Sequence, residues 1–401
     1  MADFQQHPRL ATLHGLGAPD RPRLESELVQ FAATRPLALV LPLLPAELGE
    51  PALAAMLEDL AGAAYLGEIV FSLGRAGKKE LTALKALTAS LPQETLVINS
   101  ESRRVKPLLS ELAGRGWPAG QEGKGRAVWL ALAVLAARGR TRVVALHDGD
   151  VADYDRLLLG RLVHPVLNPA TGFVLAKGYY ARYTHQLHGR LTRLLLWPAL
   201  AALEDLLGPL PALAQLAAFR YPLAGECAWD LAALGEMRLR PGWGLELGLL
   251  AEARRLAGPG RLCQVDLADR HEHKHQELIP GELNKGLGRM ALEVARTLLA
   301  ELATEGAVFT PGSLLTLTSL YLRHARGLLP VYAAESALAG LLYPRPDEEA
   351  TVETFARALA RAGQLLMENH AAEETLPSPA RLLAGETGRR LLEAVEADNL
   401  S

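Results

Sequence analysis

Two acids separated by one glycine, Asp148-Gly149-Asp150, follow the apolar run Val143-Val144-Ala145-Leu146. A run of this kind reads as a parallel strand buried on both faces. The acids then leave the sheet at the edge where open α/β sheets bind ligands. Paired carboxylates placed there share a divalent cation, Mg²⁺ or Mn²⁺, which takes oxygen donors from the protein and from a substrate's phosphates. The competing reading of an Asp-x-Asp pair is a solvated turn.

Other segments carry chemistry of a matching kind. Glu122-Gly123-Lys124-Gly125 opens a helix; glycines let a ligand approach the backbone, and a helix amino end favours anions. Lys124 is placed to contact a diphosphate or a base, although the spacing and the missing Ser/Thr exclude a Walker A loop. Pro222-Leu223-Ala224-Gly225-Glu226 puts a carboxylate in a tight turn, either to accept hydrogen bonds from sugar hydroxyls or as a helix amino-terminal acid. Gly242-Trp243-Gly244-Leu245-Glu246 enters another helix, with Glu246 in its first turn orienting the site or favouring the helix dipole. Gly189-Arg190-Leu191-Thr192-Arg193 starts a helix after the Tyr-, Arg- and His-rich stretch 179–188, which suits a phosphate-bearing acceptor. His271, His273 and His275 alternate after Arg270. One imidazole there completes the metal shell begun by the aspartates, or the segment is a solvated loop.

These residues need a scaffold. Strands are expected over Leu37–Pro42, Glu68–Leu73, Glu94–Asn99, Arg142–Leu146, Gly172–Gly178 and Gln264–Leu267. Helices are expected over Pro45–Ala64, Lys79–Ser90, Lys124–Ala137, Leu191–Leu207 (broken near Pro198) and Trp243–Ala257. Strands alternating with helices imply an α/β fold with a doubly wound, mostly parallel sheet. The chain divides by pattern into a lead-in helix (1–36), a nucleotide-binding part (37–155), an acceptor-binding and metal-completing part (156–285) and a helical carboxyl-terminal region (286–401). The last offers no chemistry, only packing or subunit contacts.

Composition narrows the class. The 401 residues are 49% hydrophobic with a net charge of −3, enough for a large core and unlike a dedicated nucleic-acid or membrane-surface protein. Cys227 and Cys263 form neither a metal spacing nor a disulfide framework, which fits a reducing cytoplasm. No signal peptide is expected from the first residues. The longest unbroken apolar run, Ala127–Ala137, is too short to span a bilayer and reads as a buried helix.

Taken in order, these motifs resemble the retaining glucosyl-3-phosphoglycerate synthases and their mannosyl counterparts, nucleotide-sugar glycosyltransferases of the GT-A fold. The resemblance covers residues 37–285 and rests on Gly123-Lys124-Gly125 with Ala127-Val128-Trp129, Asp148-Gly149-Asp150, Gly189-Arg190-Leu191-Thr192, Pro222–Glu226, Gly242–Leu250 and Gln264–Leu267 followed by histidine. It implies glucose transfer from a nucleotide sugar, UDP-glucose first, to the 2-hydroxyl of 3-phosphoglycerate, with Mg²⁺ or Mn²⁺ and a homodimeric enzyme. Asp150 is then the main metal acid, joined by His273 in preference to His271. Asp148 places the donor, Gly123 and Lys124 contact its nucleotide, and Glu226 binds its sugar hydroxyls. Gly189, Arg190, Thr192 and Arg270 hold the acceptor.

Two loops depart from the family pattern. The donor-cradling positions after the first two strands are here Pro42 and Glu47, in Leu41-Pro42-Leu43-Leu44-Pro45-Ala46-Glu47, and Ser72, in Phe71-Ser72-Leu73-Gly74-Arg75. The alternatives are a mannosyl or other hexosyl transferase with GDP-mannose, and a non-catalytic nucleotide-sugar-binding protein. A nucleotidyltransferase shares the sheet and acids but requires a glycine-rich basic loop after the first strand, which is missing here.

Overall fold

A computed structural model of the chain describes residues 6, 8–17, 20–152, 154–268, 278–368 and 375–400. Its strands are β1 (Ala11–Leu13), β2 (Leu37–Leu43), β3 (Glu68–Leu73), β4 (Glu94–Asn99), β5 (Val143–Leu146), β6 (Leu175–Tyr180), β7 (Cys227–Asp230) and β8 (Leu262–Ala268). They form one eight-stranded sheet ordered β1-β8-β6-β7-β5-β2-β3-β4. β7 runs antiparallel to both neighbours and every other pairing is parallel.

The helices are α1 (Arg21–Ala32), α2 (Pro51–Ala61), α3 (Lys78–Thr88), α4 (Val105–Gly114), α5 (Lys124–Arg138), α6 (Arg156–Leu167) and α7 (Trp197–Leu207). They continue with α8 (Pro211–Leu216), α9 (Leu245–Ala257), α10 (Gly286–Thr304), α11 (Pro311–Leu338), α12 (Arg345–Glu368), α13 (Pro379–Leu383) and α14 (Glu386–Asn399).

The central strands are apolar on both faces because both faces are covered. Along β2 and β5 the side chains alternate. Ala38, Val40, Val144 and Leu146 enter the layer built on α5 and the carboxyl-terminal helices. Leu39, Leu41, Val143 and Ala145 enter the layer built on α1, α2 and α6. Burial of each Val or Leu side chain among them contributes about 1.5–3 kcal/mol relative to exposure. The chain reverses direction across the sheet between β2 and β5, so the crevice beyond their carboxyl ends is the switch point at which such sheets bind ligands.

Several elements differ from the sequence-based expectation. The helix expected over Pro45–Ala64 is split into a 3₁₀ turn, Pro45–Gly49, and α2. Pro51 takes the first helical turn, where its missing N–H is not required. The helix expected over Leu191–Leu207 begins as a π-helical turn, Leu191–Leu196, before Pro198 enters the first turn of α7. β1, β7, α4, α6 and α8 had no sequence-based counterpart. β1 pairs with β8, so residues of the amino-terminal segment join the same sheet as β2–β5 and β6–β8.

The carboxyl-terminal region packs onto this sheet domain. Trp129 of α5 is fully buried and donates through Nε1 to the Pro377 carbonyl at 2.7 Å. The Asn399 side chain pairs with both backbone groups of Val97 on the edge strand β4, at 2.9 and 2.8 Å. It thereby covers an exposed strand edge.

Candidate active site

Asp148 follows β5 at the switch point. Lys124, first residue of α5, places Nζ 2.6 Å from Asp148 Oδ1 and 2.9 Å from Oε1 of Glu246, which lies in the first turn of α9. Two helix amino ends thus converge on the end of one strand, a concentration of positive dipole suited to phosphates. Glycine makes the convergence possible. A Cβ at Gly125 would come within 1.8 Å of the Arg240 carbonyl, and one at Gly123 within 2.5 Å of the Pro241 carbonyl. The Arg126 N–H donates to that same Pro241 carbonyl at 2.9 Å, docking α5 on the loop that leads into α9.

Burial alone would lower the basicity of Lys124. The charges and hydrogen bonds of Asp148 and Glu246 outweigh it and hold the ammonium well above its ordinary pKa. Gly225 rests directly on this pair, since a Cβ there would lie 2.3 Å from Asp148 Oδ2 and 2.9 Å from Lys124 Nζ. Asp150 stands half-buried two residues on, past Gly149, which packs on Leu43 at the end of β2.

Glu226 is almost fully buried and immediately precedes β7, so it is not a helix amino-terminal acid. Its Oε2 accepts a 2.5 Å hydrogen bond from the Tyr180 hydroxyl. Burial, reinforced by the Glu226 charge, pushes the Tyr180 phenol well above its ordinary pKa, keeping it a neutral donor. Tyr180 packs edge-on against Tyr221 at 5.3 Å, and the Tyr221 hydroxyl accepts from Arg182 Nη1 at 2.9 Å. Thr192, buried, lies beside the same hydroxyl. Gly189 adopts a left-handed φ of 70°, which turns the chain into the π-helical segment carrying Thr192. Arg190 donates through Nε to Glu348 Oε1 of α12 at 2.8 Å.

The expected donor loops are built differently from one another. Pro42 pairs with Ser72 across β2 and β3, and Ser72 is buried inside its strand. Glu47 accepts from the Leu44 N–H at 2.7 Å and so closes its own turn. Arg75, in a left-handed conformation of φ 55°, forms an ion pair with Glu122, tying the loop after β3 to the start of α5.

The donor set suits a hard cation, since Asp148 and Asp150 offer carboxylate oxygens and leave room for substrate oxygens. Among the described residues no group of three or more His, Cys, Asp or Glu side chains is close enough to enclose a metal by itself. Arg270, His271 and His273 lie outside the described residues.

Tyr180, Tyr221, Arg182 and Glu348 escaped sequence reasoning as site residues. The aromatic-basic stretch 179–188 was the available signal for the first and third. Tyr221 directly precedes the Pro222–Glu226 turn, which was its signal; nothing local marks Glu348.

A doubly wound sheet with an Asp-Gly-Asp turn at its switch point, faced by two helix amino ends, defines a GT-A type glycosyltransferase fold. No family model matches the chain. It is 37% identical to the glucosyl-3-phosphoglycerate synthase of Persephonella marina over 100% of this chain and 99% of that relative. It is 30% identical to the Methanococcoides burtonii enzyme of the same name over 90% and 89% of the two chains. The solved structure of glucosyl-3-phosphoglycerate synthase from Mycobacterium tuberculosis with Mn²⁺, UDP-glucose and phosphoglyceric acid superposes with a TM-score of 0.54 at 26% identity, covering 73% of this chain and 88% of that one. Mannosyl-3-phosphoglycerate synthase from Rubrobacter xylanophilus, at 24% identity and a TM-score of 0.55 over 75% and 84% of the chains, shares the fold. The chain belongs to the glucosyl-3-phosphoglycerate synthase family.

Proposed function

We infer that this protein is a metal-dependent glycosyltransferase that moves glucose from UDP-glucose to the 2-hydroxyl of 3-phosphoglycerate, retaining the α configuration. One observation carries the reading: the Persephonella marina relative, matched over 99% of its length at 37% identity, is a glucosyl-3-phosphoglycerate synthase.

In this reading Asp150, with His273 in preference to His271, would hold Mg²⁺ or Mn²⁺, and Asp148 places the donor. When bound, the cation offsets charge on the diphosphate as the sugar–phosphate bond breaks. Lys124 stays protonated beside the same oxygens and fixes Asp148. Gly123 and the α5 amino end receive the nucleotide's phosphates, bordered by Pro42 and Glu47, with Ser72 supporting this edge from inside β3. Glu226 accepts hydrogen bonds from the glucose hydroxyls. Its Oε2 is already committed to Tyr180, which suits a binding role better than that of a covalent nucleophile. The acceptor is held by Gly189, Arg190, Thr192 and Arg270. Its hydroxyl attacks the oxocarbenium-like anomeric carbon on the face the diphosphate leaves, and a departing phosphate oxygen takes the hydroxyl proton. No protein base is needed.

Homodimer formation and a cytoplasmic location complete the reading. Both cysteines are free and buried, as suits a reducing compartment, and no helix among the described residues is long and apolar enough to cross a membrane. Light scattering and cell fractionation test these two points.

The substrate assignment is tested by incubating the protein with 3-phosphoglycerate, Mg²⁺ and either UDP-glucose or GDP-mannose, then identifying products by NMR. An α-glucoside at the 2-oxygen, formed from UDP-glucose, is expected. A mannoside formed in preference, or no product from either donor, contradicts the assignment.

A further inference from the structure

We propose that Glu348, in the first turn of α12, is a positioning residue for the acceptor site: it grips Arg190 by one edge and leaves the rest of the guanidinium for an anion. The proposal rests on the reading of Arg190 as an acceptor ligand, and it gives the carboxyl-terminal helices a part in substrate binding.

Glu348 is 2% exposed, and a carboxylate so buried requires charged partners. It has two. Oε1 accepts from Arg190 Nε at 2.8 Å, and Oε2 accepts from Arg193 Nη1 at 2.9 Å. The two arginines are used differently. Arg193 is saturated, donating also to the His188 carbonyl at 2.7 Å and lying over the Tyr332 ring at 4.6 Å. Arg190 makes only its Nε bond, so its terminal nitrogens donate to no described residue.

Two cations against one buried anion leave a net positive charge at Arg190. A guanidinium held at Nε keeps both terminal nitrogens for a phosphate or carboxylate, the fork that arginine presents to such groups. Its rotamer freedom is already restricted before ligand arrives, which lowers the entropy cost of binding. The flanking backbone is tied to the same helical region. Leu342 N–H donates to the His185 carbonyl at 2.8 Å, and the Tyr321 hydroxyl to the Leu194 carbonyl at 2.6 Å. The segment that carries Gly189, Arg190 and Thr192 is therefore held on both sides by residues beyond 320.

The test is steady-state kinetics of Glu348→Gln, Arg190→Ala and the double variant, with melting curves to confirm folding. Glu348→Gln is expected to raise KM for 3-phosphoglycerate about tenfold, with kcat and KM for UDP-glucose within about twofold. The double variant should be no worse than Arg190→Ala alone, because both act on one interaction. Glu348→Asp, which keeps the charge, should recover part of the loss; it also serves if Glu348→Gln does not fold, then being expected to raise the acceptor KM alone. Unchanged acceptor KM in a folded Glu348 variant, equal losses for donor and acceptor, or independent effects of the two substitutions would overturn the proposal. If Arg190→Ala itself leaves acceptor KM unchanged, the underlying assignment of Arg190 fails, and the proposal falls with it.

Discussion

Lys124 Nζ stands 2.6 Å from Asp148 Oδ1 while also meeting Glu246 at 2.9 Å, so one ammonium joins the amino ends of α5 and α9 to the acid that follows β5. The three side chains are each less than a quarter exposed. Removing the cation leaves two partly buried carboxylates facing each other, a situation that costs about 3–5 kcal/mol in comparable buried pairs. Lys124→Met is therefore expected to lower stability by roughly that amount and to cut kcat/KM for UDP-glucose by about 100-fold, or about 2.7 kcal/mol. Chemical denaturation and initial-rate kinetics check both. An unchanged denaturation midpoint would show that the ion pairs are not formed in solution.

Gly225 has no room for a side chain, because a Cβ would stand 2.3 Å from Asp148 Oδ2. Gly225→Ala should displace the turn before Glu226 and cost about 1–3 kcal/mol, as overpacking does. The expected kinetic signature is a raised KM for the donor. Wild-type kinetics in this variant would mean that the turn does not rest on Asp148.

Tyr180 orients Glu226 through a 2.5 Å hydrogen bond. Tyr180→Phe removes the donor from a buried carboxylate, a loss of about 1.5–3 kcal/mol for a bond to a charged group. It should reduce kcat/KM for the donor by about tenfold or more with little change in acceptor KM. Equal effects on both substrates would place Glu226 elsewhere than at the donor sugar.

Stability should fall steeply in alkali. Burial pushes the Cys227 thiol up to about 12 from 9.0, and burial raises Tyr154, Tyr180 and Tyr321 well above 10.0. Lys124 is raised as well, by its acids. For each group the folded state keeps its proton at pH values where the unfolded chain has lost it, so the folded state binds more protons and stability declines as pH rises. The decline should begin near pH 9, from the thiol, and steepen above pH 10. On the acid side, Glu25 and Glu252 are lowered from 4.5 because arginine hydrogen bonds outweigh burial, so their contribution is present above that value and is lost as pH falls below it. Melting temperatures across pH 3–11 check the shape; a flat alkaline limb would contradict the burial of these groups.

The sequence was most legible where one local rule acted alone. β3 and β4 fall at their expected bounds because each is a short apolar run closed by turn residues. Lys124 opens α5 and Glu246 sits in the first turn of α9, as their glycine-flanked motifs implied. Tertiary context hid the rest. The four-residue β7 owes its strand conformation to β5 and β6 on either side. The three-residue β1 depends on β8. The split before α2 follows from Pro51 inside a pattern whose periodicity alone read as continuous. Lys124 is expected at a nucleotide, yet its partners are acids from segments more than twenty residues away, a pairing that periodicity cannot reveal. Glu348 lies 158 positions from Arg190 and belongs to a helix that shows only amphipathic spacing.

The decisive experiment is to measure UDP release from UDP-glucose by the protein, with and without 3-phosphoglycerate, with Mg²⁺ or with a chelator, and in Asp150→Ala. Release should require the acceptor and the cation together and fall at least about 1000-fold, roughly 4 kcal/mol, in the variant. Acceptor-independent release, or full activity in Asp150→Ala, would contradict it.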